Sequence, residues 1–212
     1  MKNSNYLQIK KQLPASVNLL AVSKYTSTKN IQNLYDFGQE HFGESKVQEA
    51  QNKQTLLLKN KKLKWHFIGR IQSNKIIKIV KNFDYIHSVD SLKQLQKIST
   101  ISINHNKSPK IMIQIKLSND PYKGGMKVED LINNFDQIKS INGIQLVGLM
   151  TMNPKGLNSR ENLSLFKKCR SLADSLSLKE CSMGMSQDWK EAVDAGSTWI
   201  RLGSIIFGDN II

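Results

Sequence analysis

A regular alternation constrains this chain more than any other feature. Short apolar runs at residues 17–23, 41–44, 65–68, 85–89, 111–117, 144–152, 181–186 and 199–203 read as strands. Between them, residues 31–37, 47–58, 73–80, 91–98, 128–138, 159–176 and 188–195 carry apolar side chains at helical spacing. The run at 111–117 sets Ile111, Ile113, Ile115 and Leu117 on one face, the period of a strand. The segment 159–176 repeats Leu163, Phe166, Cys169 and Ala173, the period of a helix, and Gly196 follows the last helical segment as a stop. Strands separated by helices pair in parallel through right-handed crossovers. Eight such units close on themselves, so the expected fold is α/β: a single-domain (β/α)8 TIM barrel over residues 1–212, near the small end of the usual range of about 200 residues and upward. The alternative, a doubly wound open sheet, ordinarily carries a glycine-rich turn after its first strand. Residues 23–30 contain no glycine.

Charge bears on partners. The chain carries a net +14, almost all of it in residues 1–107, and the excess is lysine: 27 Lys against 4 Arg. Lys, Asn and Ile make up about a third of the chain, which a genome biased toward A and T would itself produce. Nucleic-acid readers use arginine forks and interleaved aromatics. The densest basic run, residues 59–64, has neither, so the charge reads as a solvated surface and not as a nucleic-acid interface. Two cysteines, Cys169 and Cys181, are too few for a disulfide scaffold. The one apolar run near the N-terminus is too short for a leader or a membrane span. The expectation is a cytoplasmic protein with no membrane association.

In a barrel of this kind the chemistry sits at the C-terminal ends of the strands. The first strand ends in Ala21-Val22-Ser23-Lys24. A lysine at an apolar rim is expected to be partly desolvated, which makes its amine a nucleophile for a carbonyl. The plainer alternative is a lysine whose stem packs while its head reaches water. The seventh strand reads Cys181-Ser182-Met183-Gly184-Met185-Ser186, and the eighth reads Ile200-Arg201-Leu202-Gly203-Ser204. Small residues there let backbone N–H groups approach an anion, in the region where many barrels hold phosphate. Crowding relief at the rim is the competing reading of the same glycines and serines. Arg201 lies in an apolar strand and needs a partner: either a basic ring nitrogen on a phosphate-bearing ligand or a core carboxylate.

Those residues bring the chain to a family. Ala21-Val22-Ser23-Lys24, Phe42-Gly43-Glu44, Trp65-His66-Phe67-Ile68-Gly69, Gln72-Ser73-Asn74-Lys75, Gly148-Leu149-Met150, Ser182-Met183-Gly184-Met185-Ser186 and Arg201-Leu202-Gly203 run in order over nearly the whole sequence. Together they resemble the pyridoxal phosphate homeostasis proteins, relatives of the alanine racemase N-terminal barrel. The resemblance implies pyridoxal 5'-phosphate as cofactor, with Lys24 forming its Schiff base. It implies that Ser186, Gly203 and Ser204 hold the phosphate and that Arg201 faces the pyridine nitrogen. A permanently cationic partner leaves that nitrogen unprotonated and the ring a weak electron sink.

The sequence also departs from the family pattern. Ser45-Lys46 stand where asparagine and tyrosine are usual, and Lys116 stands where an asparagine is common, on the same strand face as Gln114. The usual C-terminal arginine is missing, and the segment before the first strand is short enough for an N-terminal helix to be trimmed. Lys123-Gly124-Gly125 reads as a loop with some capacity for an anion, and His66 as a core or rim histidine. The function implied is a monomer that binds, buffers and passes on pyridoxal phosphate, with apo forms of pyridoxal phosphate enzymes as acceptors and no substantial turnover. The alternative, an amino-acid racemase, needs two bases on opposite faces of the substrate carbon. No second domain to supply one is expected after the eighth strand. A sugar-phosphate aldolase would use Lys116 as a second amine and is the weakest fit.

Overall fold

A computed structural model describes residues 3–118, 120 and 124–208. Its strands are β1 (Asn18–Val22), β2 (His41–Glu44), β3 (Lys64–Phe67), β4 (Tyr85–Val89), β5 (Lys110–Lys116), β6 (Met126–Lys127), β7 (Gln145–Met150), β8 (Glu180–Ser182) and β9 (Trp199–Leu202). The helices are α1 (Asn3–Gln12), α2 (Thr28–Asp36), α3 (Val47–Leu56), α4 (Ile76–Asn82), α5 (Leu92–Asn104), α6 (Val128–Asn133), α7 (Phe135–Lys139), α8 (Ser159–Ser175), α9 (Trp189–Asp194) and α10 (Ser204–Phe207). A 3-10 turn at Ser73–Lys75 leads into α4. The strands pair in parallel in the order β4-β3-β2-β1-β9-β8-β7-β5, and a β4–β5 pairing closes the ring. Among the described residues this is an eight-stranded parallel barrel wrapped in helices. The two-residue β6 is an appendage on the end of β5.

Local chemistry sets the helix starts. The Ser27 and Ser91 hydroxyls accept from the N–H groups of Asn30 and Gln94. Asn158 and Glu161 form a reciprocal capping box at the head of α8. Three elements differ from the sequence expectation. Helix α1 precedes the first strand, anchored by buried Tyr6 and Ile9. The helix expected at 128–138 is two short helices broken at Asn134. The strand expected at 181–186 ends at Ser182, because Gly184 takes φ +90°. A Cβ at Gly184 would lie 2.5 Å from the Ala192 Cβ, so both its conformation and its packing demand glycine. Lys123 and residues 209–212 lie outside the described residues.

Alternation along each strand divides the core in two. Leu19, Ala21, Ile86, Ile111, Ile113 and Phe67 face outward into a large apolar layer with helix residues such as Leu95, Ile98 and Phe166. Leu20, Tyr85, Met112, Met150 and Trp199 face inward and form a separate, smaller cluster. The lumen also holds polar groups. His41, His66, His87, Ser182 and Arg201 come from β2, β3, β4, β8 and β9 and contact one another in series, which is possible only inside the barrel.

Candidate functional site

The C-terminal rim is built by adjacent strands. β1 pairs with β9 in register Ala21↔Leu202, so Val22 and Gly203 are level one residue further on. A Cβ on Gly203 would sit 3.3 Å from the Val22 carbonyl oxygen. Ser204 opens α10 directly after Gly203, and its hydroxyl lies 3.3 Å from that of Ser186. Both serines line a cavity of about 320 Å3 with Asn153, Gly156, Met185 and Asp188. The loop carrying Ser186 is held by the Met185 N–H, which donates to Asp188 Oδ1 at 2.6 Å.

Lys24 stands on the same rim, two residues beyond Val22, in the turn leading to α2. The structure corrects one expectation here: Lys24 is exposed, and the chain's own walls do not desolvate its amine. The reason is local. The strand ends at Val22, so Lys24 stands in the turn beyond it, and Tyr25 adopts φ +61° as the chain runs on toward α2. Its backbone is nevertheless tied on both sides. The buried Lys53 ammonium donates to the Ser23 carbonyl at 2.7 Å, to Glu44 Oε1 at 2.8 Å and to Glu49 Oε1 at 2.7 Å. The Ser23 hydroxyl donates to Glu44 Oε1 at 2.6 Å, and the Tyr25 N–H donates to Glu49 Oε1 at 2.7 Å. Burial pushes the Glu44 carboxyl up, against the bonds from Lys53 and Ser23. At Glu49 burial also acts upward, but the Lys53 and Tyr25 bonds together outweigh it and hold that carboxyl low. Glu44 Oε2 is buried with no hydrogen-bond partner among the described residues.

Arg201 lies beneath this rim, 4% exposed. It donates from Nη1 to Ser182 Oγ at 2.8 Å and from Nη2 to the Thr151 carbonyl at 2.9 Å. No core carboxylate bonds to it among the described residues, so that expected alternative does not hold. Burial lowers Arg201 to about 10, with Asp188 opposing, which leaves it cationic at neutral pH. A buried cation satisfied by one hydroxyl and one carbonyl is a suitable neighbour for a neutral acceptor at the mouth.

The sequence-expected residues thus fall at one end of the barrel: Gly203 against Val22, Lys24 in the turn just beyond Val22, Ser186 against Ser204, and Arg201 below. Lys116, at the end of β5, is half-buried, and Gln114 on the same face is buried and donates to the Gly124 carbonyl at 2.7 Å. Lys46 lies over the Tyr25 ring, 5.1 Å from its centroid, beside the Lys24 turn. His66 is fully buried in the lumen, as a core histidine. Sequence reasoning passed over Lys53, Glu49 and the histidines His41 and His87. Glu44 and Ser182 stand within the family motifs, which by themselves assign them no task. The available signals were Glu49 four residues before Lys53 on one helix face, and a histidine in each of three consecutive strands.

The family model described as the alanine racemase N-terminal domain matches residues 3–211, which defines the class of barrel. A protein of Synechocystis sp. named pyridoxal phosphate homeostasis protein is 43% identical over 214 residues, covering 98% of each chain. The solved structure of PipY from Synechococcus elongatus, with pyridoxal phosphate bound, superposes with a TM-score of 0.95 at 40% identity, covering 98% of this chain and 100% of that one. The chain belongs to the family of pyridoxal phosphate homeostasis proteins. Alanine racemase of Clostridium difficile superposes with a TM-score of 0.79 at 15% identity, covering all of this chain and 61% of its own, and shares the fold.

Proposed function

We propose that this protein binds pyridoxal 5'-phosphate at the C-terminal mouth of its barrel and serves intracellular homeostasis of that cofactor without substantial turnover. The observation that carries the reading is the convergence on one rim of an exposed amine on a braced turn, a serine pair over a cavity, and a buried arginine below. Lys24 supplies the amine for the cofactor's aldehyde. Ser186, Ser204 and the backbone at Gly203 take the phosphate, where small residues and the start of a helix favour an anion. Arg201 takes the ring nitrogen. Bound pyridoxal phosphate supplies an electrophilic aldehyde and an electron-accepting ring, and a cationic arginine at the nitrogen keeps that ring a poor sink. An amine in open solvent also suits hand-over better than turnover, which profits from excluding water.

The same reading takes the chain as a cytoplasmic monomer that passes the cofactor to apo pyridoxal phosphate enzymes. No described helix is long and apolar enough to cross a membrane. The test is borohydride trapping with peptide mapping, alongside a chiral assay on L- and D-amino acids. The expected result is an adduct on Lys24 and no measurable racemisation. An adduct confined to Lys116 would reject the site, and turnover near about 10 per second, typical of enzymes, would reject the carrier reading.

A further inference from the structure

A chain of side chains crosses the barrel lumen from floor to mouth. His41 Nδ1 lies 2.9 Å from His66 Nε2, and His66 Nδ1 lies 2.8 Å from His87 Nε2. His87 Nδ1 lies 2.9 Å from Ser182 Oγ, which receives Arg201 Nη1 at 2.8 Å. His66, His87 and Ser182 are fully buried. The floor end opens at His41 into a cavity of about 470 Å3, also lined by Glu40, Lys64, Asp84, Tyr85 and Lys110. The mouth end is the arginine of the proposed cofactor site.

Proton accounting gives this chain a direction. Arginine can only donate, so Ser182 accepts from Arg201. Ser182 makes no other side-chain hydrogen bond than these two among the described residues. Its single hydrogen is satisfied only if it donates to His87 Nδ1. Any other arrangement strands a buried hydroxyl hydrogen, a cost of about 1–3 kcal/mol. His87 is then the Nε2–H tautomer and donates to His66 Nδ1. His66 is also Nε2–H and donates to His41 Nδ1, which leaves the His41 Nε2–H at the floor. Each ring carries one hydrogen, and every donor points away from Arg201.

We propose that His41, His66, His87 and Ser182 are positioning residues for Arg201: a one-way donor line that holds the guanidinium beneath the cofactor mouth and ties its setting to the floor of the barrel. The link to the cofactor rests on the function proposed above, whereas the direction of the line does not. Adding a proton to His41 puts a hydrogen on its Nδ1 facing His66, so both inner rings must turn to the Nδ1–H form. Ser182 then receives two donors, and its own hydrogen is unpaired beside Arg201. The groups around His41 are Glu40 and Asp84, which favour its protonation, Lys10 and Lys64, which oppose it, and the rings of His66, Tyr85 and Trp199. Burial outweighs the two carboxylates and holds His41 low, so the line stands in its neutral form at neutral pH.

The decisive measurement is 15N NMR of the imidazole nitrogens in the protein without cofactor. The fourth histidine, His105, is exposed and lies outside the line, so its ring nitrogens give a comparison signal in the same spectrum. His66 and His87 should show the Nε2–H form and no titration between pH 8 and about 5.5, below the range in which a free imidazole titrates. An Nδ1–H form at either ring at neutral pH would overturn the proposal. With cofactor added, His66→Leu should still trap it on Lys24, but with a shifted absorption band, an altered pH profile and affinity lowered roughly 2- to 10-fold, the worth of one hydrogen bond. His66→Gln, which can both donate and accept, should restore part of the shift. A band and pH profile unchanged in His66→Leu would sever the line from the cofactor. Should His66→Leu fail to fold, the tautomers of the unmodified chain and the spectrum of His66→Gln decide alone. Failure of the unmodified protein to trap cofactor would defeat the functional reading, while the tautomers would still decide the line.

Discussion

The two sides of the barrel wall are held in different ways. Outside, between strands and helices, Leu95, Ile98, Phe166 and Ile111 sit fully or almost fully buried in a continuous apolar layer. That contact is non-directional, and its strength follows the area removed from water. Inside, a small cluster around Leu20, Met112, Met150 and Trp199 shares the lumen with three histidines, a serine and an arginine. There each polar group depends on one or two partners at fixed distances. The outer layer tolerates exchange of one apolar residue for another of like volume. In the lumen, exchange of a histidine for an apolar residue of like size is expected to cost stability, because the loss falls on its neighbours.

Substitutions can sharpen that contrast, and the largest effect belongs outside. Phe166→Ala should cost about 3–5 kcal/mol through lost burial and the cavity left behind, read by denaturant unfolding. His87→Leu, which adds apolar surface, should still destabilise by about 1–3 kcal/mol at pH 7, since it strands Ser182 and His66. A stability gain in that variant would show that burial governs the lumen as it governs the outer layer.

The third test uses acid. Burial, with Arg201 and His41 adding to it, lowers His87 to about 3, whereas the unfolded value is near 6.5. The unfolded chain therefore binds more protons between those values, so stability is full above about 6.5 and is lost as pH falls toward 3. The limiting slope is about 1.4 kcal/mol per pH unit for each such ring. His66 is depressed by burial first and by His87 and His41 next, and acts in the same sense. The stability of His87→Leu should fall less steeply over that window, and an unchanged slope would break the assignment. The smallest stability effect belongs to the exposed rim: Lys24→Ala should stay within about 0.5 kcal/mol while abolishing covalent capture of the cofactor, measured by thermal melts and by absorbance.

How far the sequence could be read follows from the same division. The outer layer writes its period directly into the chain, so strands His41–Glu44 and Tyr85–Val89 match the expected bounds, and most others fall within a residue or two. Helix α1 was missed because its contacts reach the core mainly through Tyr6 and Ile9, too few to make a period. That Lys24, Ser186, Gly203 and Ser204 stand just past strand ends, and Arg201 within the last strand, was legible because strand ends can be located from the runs that precede them; their roles toward a cofactor are the proposal made above. Their surroundings were not legible. The contact of His87 with Ser182 joins residues 95 positions apart. Lys53 is one of 27 lysines, and nothing in its neighbourhood except Glu49 marks it as buried. The exposure of Lys24 was not legible because the run that locates the strand says nothing of the turn beyond Val22 in which Lys24 stands.

The brace under Lys24 has a kinetic consequence. Lys53 and Glu49 fasten the backbone on either side of a lysine that is itself exposed, and Glu44 holds the Ser23 hydroxyl. Its root is fixed and its tip is free. With Lys24 holding the cofactor as proposed above, a second amine would reach the site without any part of the barrel opening, and exchange at the tip would be uncoupled from the breathing of the fold. Amide protons at Ser23 and Tyr25 should outlast many exchange events at the neighbouring amine, the behaviour of a mooring post and not of a gate.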